Sequence, residues 1–224
     1  MSISNPLRLL LLVGSLCAIA ALCLLLANLP AKHDGSDRPI AALQQPAAWA
    51  VPVDKSFNLY QMAPTLYRSA LPSSENLSVL QKLQVQTVVS FIKEDDSVWL
   101  GDALVKRVSI PLHADKVDDA DVLRVLRAVQ DAEAKGPVLM HCKHGRDRTG
   151  IMAAMYRSVI QGWSKEDALH EMQQGGYGSL EDVADATRYV ESADIAKLRR
   201  AFASGECSTT RLSSCYVRNW LATF

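Results

Sequence analysis

Two kinds of hydrophobic pattern alternate along most of the chain. Short runs of β-branched and apolar residues predict strands at Asn58–Met62, Leu66–Ser69, Val85–Ile92, Lys106–Leu112 and Pro137–Cys142. Apolar residues spaced three or four positions apart predict helices at Glu75–Leu83, Asp119–Lys135 and Ile151–Val159. This alternation indicates an α/β protein with a mainly parallel central sheet flanked by helices.

Several helix ends carry their own signals. Gly136 and Pro137 stop the helix that begins at Asp119. Gly162 is typical of the position just after a helix, and Ser164 with Asp167 forms a capping box for a further helix. The last part of the domain is therefore predicted to be helical.

A different pattern occupies the N-terminus. Residues 9–27 are apolar apart from Gly14 and Ser15, a run longer than the apolar region of a signal peptide and just long enough to span a membrane. Residues 1–30 are predicted to be a cleaved signal peptide or an uncleaved signal-anchor helix, and both export the rest of the chain. Residues 31–56 contain three prolines without a sustained period, which predicts a linker.

Composition narrows the class of protein. Hydrophobic residues make up 49% and charged residues 21% of the 224 residues, which favours a folded core over disorder. The 24 basic side chains are matched by 24 acidic ones. This balance argues against a nucleic-acid partner bound by bulk positive charge. Contact with a membrane is predicted only through the apolar residues 9–27.

The five cysteines divide by location. Cys17 and Cys23 lie in the apolar segment and are interpreted as packing or lipid-facing residues. Cys207 and Cys215 are close enough in an exported chain to form a disulfide, with two free thiols as the alternative. Cys142 is left unpaired, which in an oxidising compartment indicates a chemical role.

Residues 141–150 read HCKHGRDRTG and connect a predicted buried strand to a predicted helix. Backbone N–H groups and a helix N-terminus converge in such a turn, which makes it an anion site. The same dipoles favour the thiolate of Cys142, while the planar guanidinium of Arg148 can bind two oxygens of a phosphate. Gly145 permits close approach of the backbone, and Thr149 can donate a hydrogen bond to the sulfur of Cys142.

The remaining residues of this segment have supporting roles in the interpretation. His141 is predicted to order the loop rather than to act as a general base. The predicted phosphate-binding loop comprises Lys143, His144, Gly145, Arg146, Asp147 and Arg148.

The pattern His-Cys-x5-Arg-Thr-Gly resembles the signature of cysteine-dependent protein tyrosine phosphatases, in particular their compact dual-specificity branch. The segments LYRSALP (66–72), TVVSFI (87–92), PLHADKVDDADV (111–122) and GWSKEDAL (162–169) are similar to exported bacterial members. The resemblance implies a dual-specificity phosphatase-like catalytic domain at 57–195 and a helical tail at 196–224, which a disulfide would staple. It also implies a periplasmic location, either soluble or anchored to the inner membrane.

The resemblance further implies a mechanism without cofactor or metal. Cys142 attacks phosphorus to form a phosphocysteine, and Arg148 binds the equatorial oxygens. Asp115 protonates the leaving group and then activates water. Asp118 and Asp119 are rivals for this role that sequence spacing alone does not exclude.

Other interpretations of the loop carry less support. His141, Cys142 and His144 could ligate a metal, but Arg146 and Arg148 would repel a cation and no fourth ligand is evident. The Cys-x5-Arg spacing also occurs in arsenate reductases and related sulfur-transfer loops, whereas the Thr-Gly pair and the upstream aspartate favour a phosphatase.

Two nearby features are interpreted as structural. The acidic run Glu94-Asp95-Asp96 is predicted to be a solvated loop without a catalytic role. Arg68, in the YRSA segment, is interpreted as a structural residue rather than a substrate ligand.

Three functions remain in competition. The resemblance implies a phosphotyrosyl protein substrate, with a membrane-bound diguanylate cyclase as a candidate and an influence on biofilm or cyclic-di-GMP signalling. Lys143 and Arg146 would also suit the additional phosphates of a phosphoinositide or inositol phosphate. A non-enzymatic adaptor that only binds phosphate is the third alternative.

Overall fold

A six-stranded mixed sheet forms the centre of the protein. The computed structural model describes residues 48–210 and 213–216. Its strands are β1 (Val51–Asp54), β2 (Leu59–Ala63), β3 (Leu66–Ser69), β4 (Thr87–Ser90), β5 (Lys106–Ser109) and β6 (Val138–His141). The strand order is β1-β2-β3-β6-β4-β5.

The sheet is antiparallel at one side and parallel at the other. β1 pairs with β2 and β2 with β3 in antiparallel register, whereas the pairs β3–β6, β6–β4 and β4–β5 are parallel. Every residue of β3, β4 and β6 is buried, which explains their largely apolar sequences. The predicted α/β class with a mainly parallel sheet is therefore confirmed.

Seven helices flank the sheet among the described residues. They are α1 (Leu77–Lys82), α2 (Ser97–Leu100), α3 (Asp119–Glu133), α4 (Asp147–Met155), α5 (Lys165–Gln174), α6 (Ala184–Ser192) and α7 (Ile195–Ser204). A π-helical turn, Tyr156–Ile160, continues α4. No helix in this part of the chain is both long and apolar enough to cross a membrane.

The sheet separates two apolar cores, because successive side chains of a strand point to opposite faces. In β6, Leu139 belongs to the smaller core with Leu80 of α1 and Trp99 of α2. Its neighbour Met140 belongs to the larger core, which buries residues of α3 to α7. The sheet therefore has helices on both faces.

The prediction of a linker at residues 31–56 is wrong for the last part of that range, which the structure describes. Residues 51–54 form β1, and residues 55–57 form a 3-10 turn. Pro52 is compatible with β1 because this strand lies at the sheet edge, where proline removes no essential ladder donor. Residues 1–30, predicted to be a signal peptide or anchor, lie outside the described residues.

The predicted boundary at residue 195 does not separate a tail from the domain. Helix α7 begins there, and its residues Leu198 and Ala201 are buried in the larger core. Beyond α7, a disulfide joins Cys207 to Cys215. Between these cysteines, the hydroxyl of Thr209 donates a hydrogen bond to Asp119, the first residue of α3.

Candidate active site

The predicted phosphate-binding loop lies where the parallel strands end. Cys142 directly follows β6, and α4 begins at Asp147. Because β3, β4, β5 and β6 run parallel, their carboxyl ends meet at this edge of the sheet, the usual location of ligand sites in such folds. Cys142 is a free thiol whose side chain is 2% exposed.

Gly145 allows the loop to close against β3. Its φ angle is +72°, in the left-handed region. A Cβ atom at this position would lie 2.7 Å from backbone atoms of Ser69 and Ala70. Both the conformation and the close approach therefore require glycine here.

Arg148 is anchored at the same edge. Its Nη1 atom donates to the carbonyl oxygens of Phe91 at 3.2 Å and Leu112 at 3.4 Å, which follow β4 and β5. Its Nε and Nη2 atoms have no partner among the described residues. The anchored guanidinium can therefore present two donors to an anion.

The structure distinguishes Asp115 from its rivals. Asp118 caps α3 by accepting a hydrogen bond from Asp121 N–H at 2.9 Å. Asp119 accepts hydrogen bonds from Tyr189 and Thr209. Asp115 lies exposed in the 3-10 turn Ala114–Lys116, three residues after Leu112, and it has no hydrogen-bond or ion-pair partner in the described chain. Of the three carboxylates, Asp115 is therefore the one that no contact in the described chain occupies.

His141 is fully buried and supports the loop together with a residue that the sequence did not indicate. Its Nε2 atom lies 3.1 Å from Asp96 Oδ1, and Asp96 also accepts a hydrogen bond from Trp99 Nε1 at 2.9 Å. Burial raises the pKa of Asp96, but the charge of His141 and hydrogen bonds from His141, Trp99 and Ser90 together outweigh it, so the net pKa is lowered. The prediction that Asp96 belongs to a solvated loop is wrong, because its carboxylate is buried beside these two rings.

The other loop residues have different environments. Lys143 and His144 are exposed, whereas the side chain of Arg146 packs against Gly178 so closely that a Cβ there would lie 1.9 Å from its Cδ. The predicted hydrogen bond from Thr149 to the sulfur of Cys142 is absent, since the buried Thr149 Oγ1 has no partner among the described residues.

Arg68 is structural, as the sequence indicates, but it acts on the loop itself. Its side chain is buried, and its Nη2 atom donates to Gly145 O at 2.8 Å. Its guanidinium carbon lies 3.6 Å from the centre of the Tyr177 ring. No sequence pattern indicated this contact, because residues 68, 145 and 177 are far apart in the chain.

The arrangement combines a buried cysteine, a loop that joins it to the start of a helix, an anchored guanidinium and an exposed acid. Within residues 48–210 and 213–216, no group of three or more His, Cys, Asp or Glu side chains is placed to hold a metal. These features define the site of a cysteine-dependent phosphatase.

Comparison with known proteins gives the same class. Residues 55–201 match the sequence model described as the tyrosine phosphatase family, and the chain belongs to this family. It is 61% identical over 182 residues to the dual specificity protein phosphatase TpbA of Pseudomonas aeruginosa, covering 81% of this chain and 83% of that protein.

Two further similarities are relevant to substrates. A crystal structure of P. aeruginosa TpbA in complex with phosphotyrosine is 61% identical, with a TM-score of 0.70 over 70% of this chain and 98% of that one. The inositol diphosphatase DSP3 of Arabidopsis thaliana is 26% identical over 159 residues, covering 66% of this chain and 75% of that protein.

Proposed function

We propose that the protein is a dual-specificity protein phosphatase that hydrolyses phosphotyrosine through a phosphocysteine intermediate. The observation that carries the proposal is the placement of Cys142 and the anchored Arg148 at one edge of the sheet, on either side of a closed loop. Its similarity to TpbA, whose structure with phosphotyrosine is known, supports this substrate class.

The reaction divides into two displacements. In the first, the sulfur of Cys142 bonds to phosphorus while the bond from phosphorus to the phenolic oxygen breaks, and Asp115 gives its proton to that oxygen. In the second, Asp115 takes a proton from a water molecule as the water oxygen bonds to phosphorus and the S–P bond breaks. Inorganic phosphate leaves and Asp115 is protonated again, so the cycle closes.

The loop and Arg148 stabilise the charge that develops on the transferred group. Backbone N–H groups of the loop and the N-terminus of α4 face an anion bound above Cys142. Arg148 contributes its Nε and Nη2 donors, while Phe91 and Leu112 hold its Nη1 atom. These groups provide the positive potential without a metal ion.

Inositol phosphates are the second candidate substrate class. Lys143 and His144 are exposed residues of the loop and could neutralise additional phosphates. The relatedness to inositol diphosphatases supports this alternative at lower identity. We favour phosphotyrosine because the similarity to TpbA is much greater.

The decisive experiment compares turnover of a phosphotyrosyl peptide, a phosphoseryl peptide and an inositol pyrophosphate, each with a metal chelator. We expect the phosphotyrosyl peptide to have the highest kcat/KM, and we expect Cys142→Ser and Arg148→Lys to lose at least about a hundredfold. The control Arg188→Lys changes an exposed arginine of α6 and should behave as wild type. Activity in Cys142→Ser would exclude the mechanism, and preference for the inositol pyrophosphate would select the second candidate.

We also propose that the protein is exported to the periplasm, soluble after cleavage or anchored by residues 9–27. The disulfide between Cys207 and Cys215 is typical of oxidising compartments. Cell fractionation and N-terminal sequencing of the mature protein test this proposal. Recovery of the chain with the cytoplasmic fraction would contradict it.

A membrane-bound diguanylate cyclase is our proposed physiological substrate, with an effect on biofilm formation. The relative TpbA is described as a tyrosine phosphatase related to biofilm formation. An Asp115→Ala variant should retain its phosphorylated substrate and allow its capture from envelope extracts. Identification of a captured phosphotyrosyl cyclase supports this partner, and capture of other proteins only would reject it.

A further inference from the structure

The outer side of the phosphate-binding loop is held by residues from other segments. Three successive carbonyl oxygens of the loop, those of residues 143 to 145, each accept a hydrogen bond from outside it. The donors are Leu71 N to Lys143 O at 3.2 Å, Asn58 Nδ2 to His144 O at 3.0 Å and Arg68 Nη2 to Gly145 O at 2.8 Å. The loop is therefore fixed peptide by peptide rather than at its ends alone.

These contacts determine where the amides of the loop point. In a planar trans peptide unit, the carbonyl and the N–H of the next residue point in opposite directions. Because the carbonyls are held outward, the N–H groups of His144, Gly145 and Arg146 point inward, toward the space that Cys142 and α4 border. Donors that are aimed in advance stabilise a developing oxyanion without reorganisation during the reaction.

Arg68 is a costly residue for a purely structural contact. Its side chain is 1% exposed, and among the described residues no carboxylate lies within salt-bridge distance of it. Burial lowers the pKa of Arg68, while Tyr177, Glu171 and the ionised form of Cys142 oppose that shift. A buried cation without a salt bridge destabilises a fold, whereas behind an anion site its charge is useful.

Asn58 holds the neighbouring peptide from another direction. Its φ angle is +56°, a left-handed conformation that asparagine tolerates better than most residues. Its Nδ2 atom also donates to Tyr177 O at 3.0 Å, so one amide group links the loop to the turn that carries the ring stacked on Arg68. Asn58, Arg68 and Tyr177 thus form one support.

We propose that Arg68 and Asn58 are positioning residues for phosphoryl transfer. They hold the carbonyls of Gly145 and His144 so that the loop amides are aimed at the transferred group, and Arg68 adds positive charge behind the loop. The proposal rests on the proposed phosphatase function, and it assigns catalytic consequences to two residues that touch no substrate.

The test uses one variant at each of the two residues. Asn58→Gly keeps a residue suited to the left-handed backbone and deletes the amide, and Arg68→Lys keeps the charge but loses the planar fork. We measure kcat and KM on a phosphotyrosyl peptide, inhibition by orthovanadate and the melting temperature. We expect both variants to lose about tenfold to a hundredfold in kcat/KM, mainly in kcat, and to bind orthovanadate more weakly by a similar factor.

Gln84→Gly provides the matched control. Gln84 is exposed, follows α1 and also has a φ angle of +56°, so its replacement makes the same backbone change away from the loop. It should leave kcat/KM and orthovanadate inhibition unchanged. If Arg68→Lys does not fold, Arg68→Met replaces it, since methionine fills the space without a buried charge.

The outcomes separate this proposal from the proposed function. Absence of turnover by the wild type would reject the phosphatase function itself. An active wild type together with folded variants of unchanged kcat/KM would overturn the positioning role alone. A lower kcat with unchanged orthovanadate inhibition would also overturn it, because misaimed amides must weaken both.

Discussion

Gly145 is the point where the phosphate-binding loop meets β3, and a single methyl group tests that contact. In Gly145→Ala, the Cβ atom would lie 2.7 Å from the backbone of Ser69 and Ala70, which cannot move without disturbing the sheet. We expect kcat/KM to fall by about a hundredfold, because small displacements of reacting groups cost that much. Steady-state kinetics and thermal unfolding measure the effect.

Gly162→Ala is the control for that substitution. Gly162 has a φ angle of +79°, but a Cβ atom there would meet nothing within 4 Å. It should cost about 1 kcal/mol of stability and leave kcat/KM unchanged. Equal kinetic losses in the two alanine variants would show that close packing against β3 is not what makes Gly145 necessary.

Substitutions of Asp115 and Asp118 should have different effects on kcat. Asp115→Asn is expected to lower kcat by about 10²–10⁴, with a smaller loss on substrates whose leaving group is more acidic. Asp118→Asn keeps a side-chain oxygen that can accept from Asp121 N–H, so both stability and kcat should stay close to wild type. Comparison of phosphate esters with different leaving groups checks this, and loss of kcat in Asp118→Asn alone would reverse the assignment.

How well the site can be predicted from the sequence depends on how far apart in the chain its contacting residues lie. Cys142 and Arg148 were identified because the whole loop is one contiguous segment in which the chemistry can be recognised. The contacts of Asp96 with His141 and of Arg68 with Gly145 join distant segments. No periodicity or local motif in the sequence indicates such pairs. The sequence therefore predicts that Asp96 lies in a solvated loop.

At the scale of elements, apolar runs predict the presence of a strand better than they predict where the strand begins and ends. The run 85–92 was predicted as one strand, but only Thr87–Ser90 forms ladder pairs, since Phe91 and the residues after it turn into the site. β1 was missed because Pro52 and its short, mostly exposed sequence resemble a linker. The order of strands in the sheet required long-range pairing that hydrophobic pattern does not contain.

The disulfide loop stabilises the start of α3. Reduction, or replacement of Cys207 and Cys215 by serine together, should lower stability by about 2–3 kcal/mol through the entropy of the opened loop. Unfolding by urea with and without reductant measures this. Reductant should destabilise the wild type and leave the double serine variant unaffected, and equal effects on both would mean that another thiol is responsible.

At the scale of the whole molecule, parallel strand ends bring residues from separate segments to one edge. The carbonyls of Phe91 and Leu112, after β4 and β5, hold Arg148, and the backbone of Ser69 and Ala70, after β3, closes on the loop. Arg157 and Glu171 form a buried ion pair at 2.7 Å, and Glu171 also accepts a hydrogen bond from Ala50 N–H, which ties the residue before β1 to α5.

Stability of the whole protein should depend on pH through Asp96. Because the fold lowers the pKa of Asp96 below its ordinary value of 3.8, the folded state favours the ionised carboxylate. The resulting stabilisation is fully present above that value and is lost as pH falls through the lower folded pKa. Asp96→Asn should therefore cost about 1–3 kcal/mol at pH 7, and its difference from wild type should shrink in acid below pH 3.8.

Asp95→Asn separates this effect from a general loss of negative charge. Asp95 is the neighbouring acid and its pKa is also lowered, mainly by hydrogen bonds to Ser97, but its side chain is exposed beside Arg107. Solvent screens such a group, so the stability of this variant should stay close to wild type at every pH. A pH-independent difference for Asp96→Asn, or an equal loss in Asp95→Asn, would show that the buried contact of Asp96 with His141 and Trp99 is not the source of the acid sensitivity.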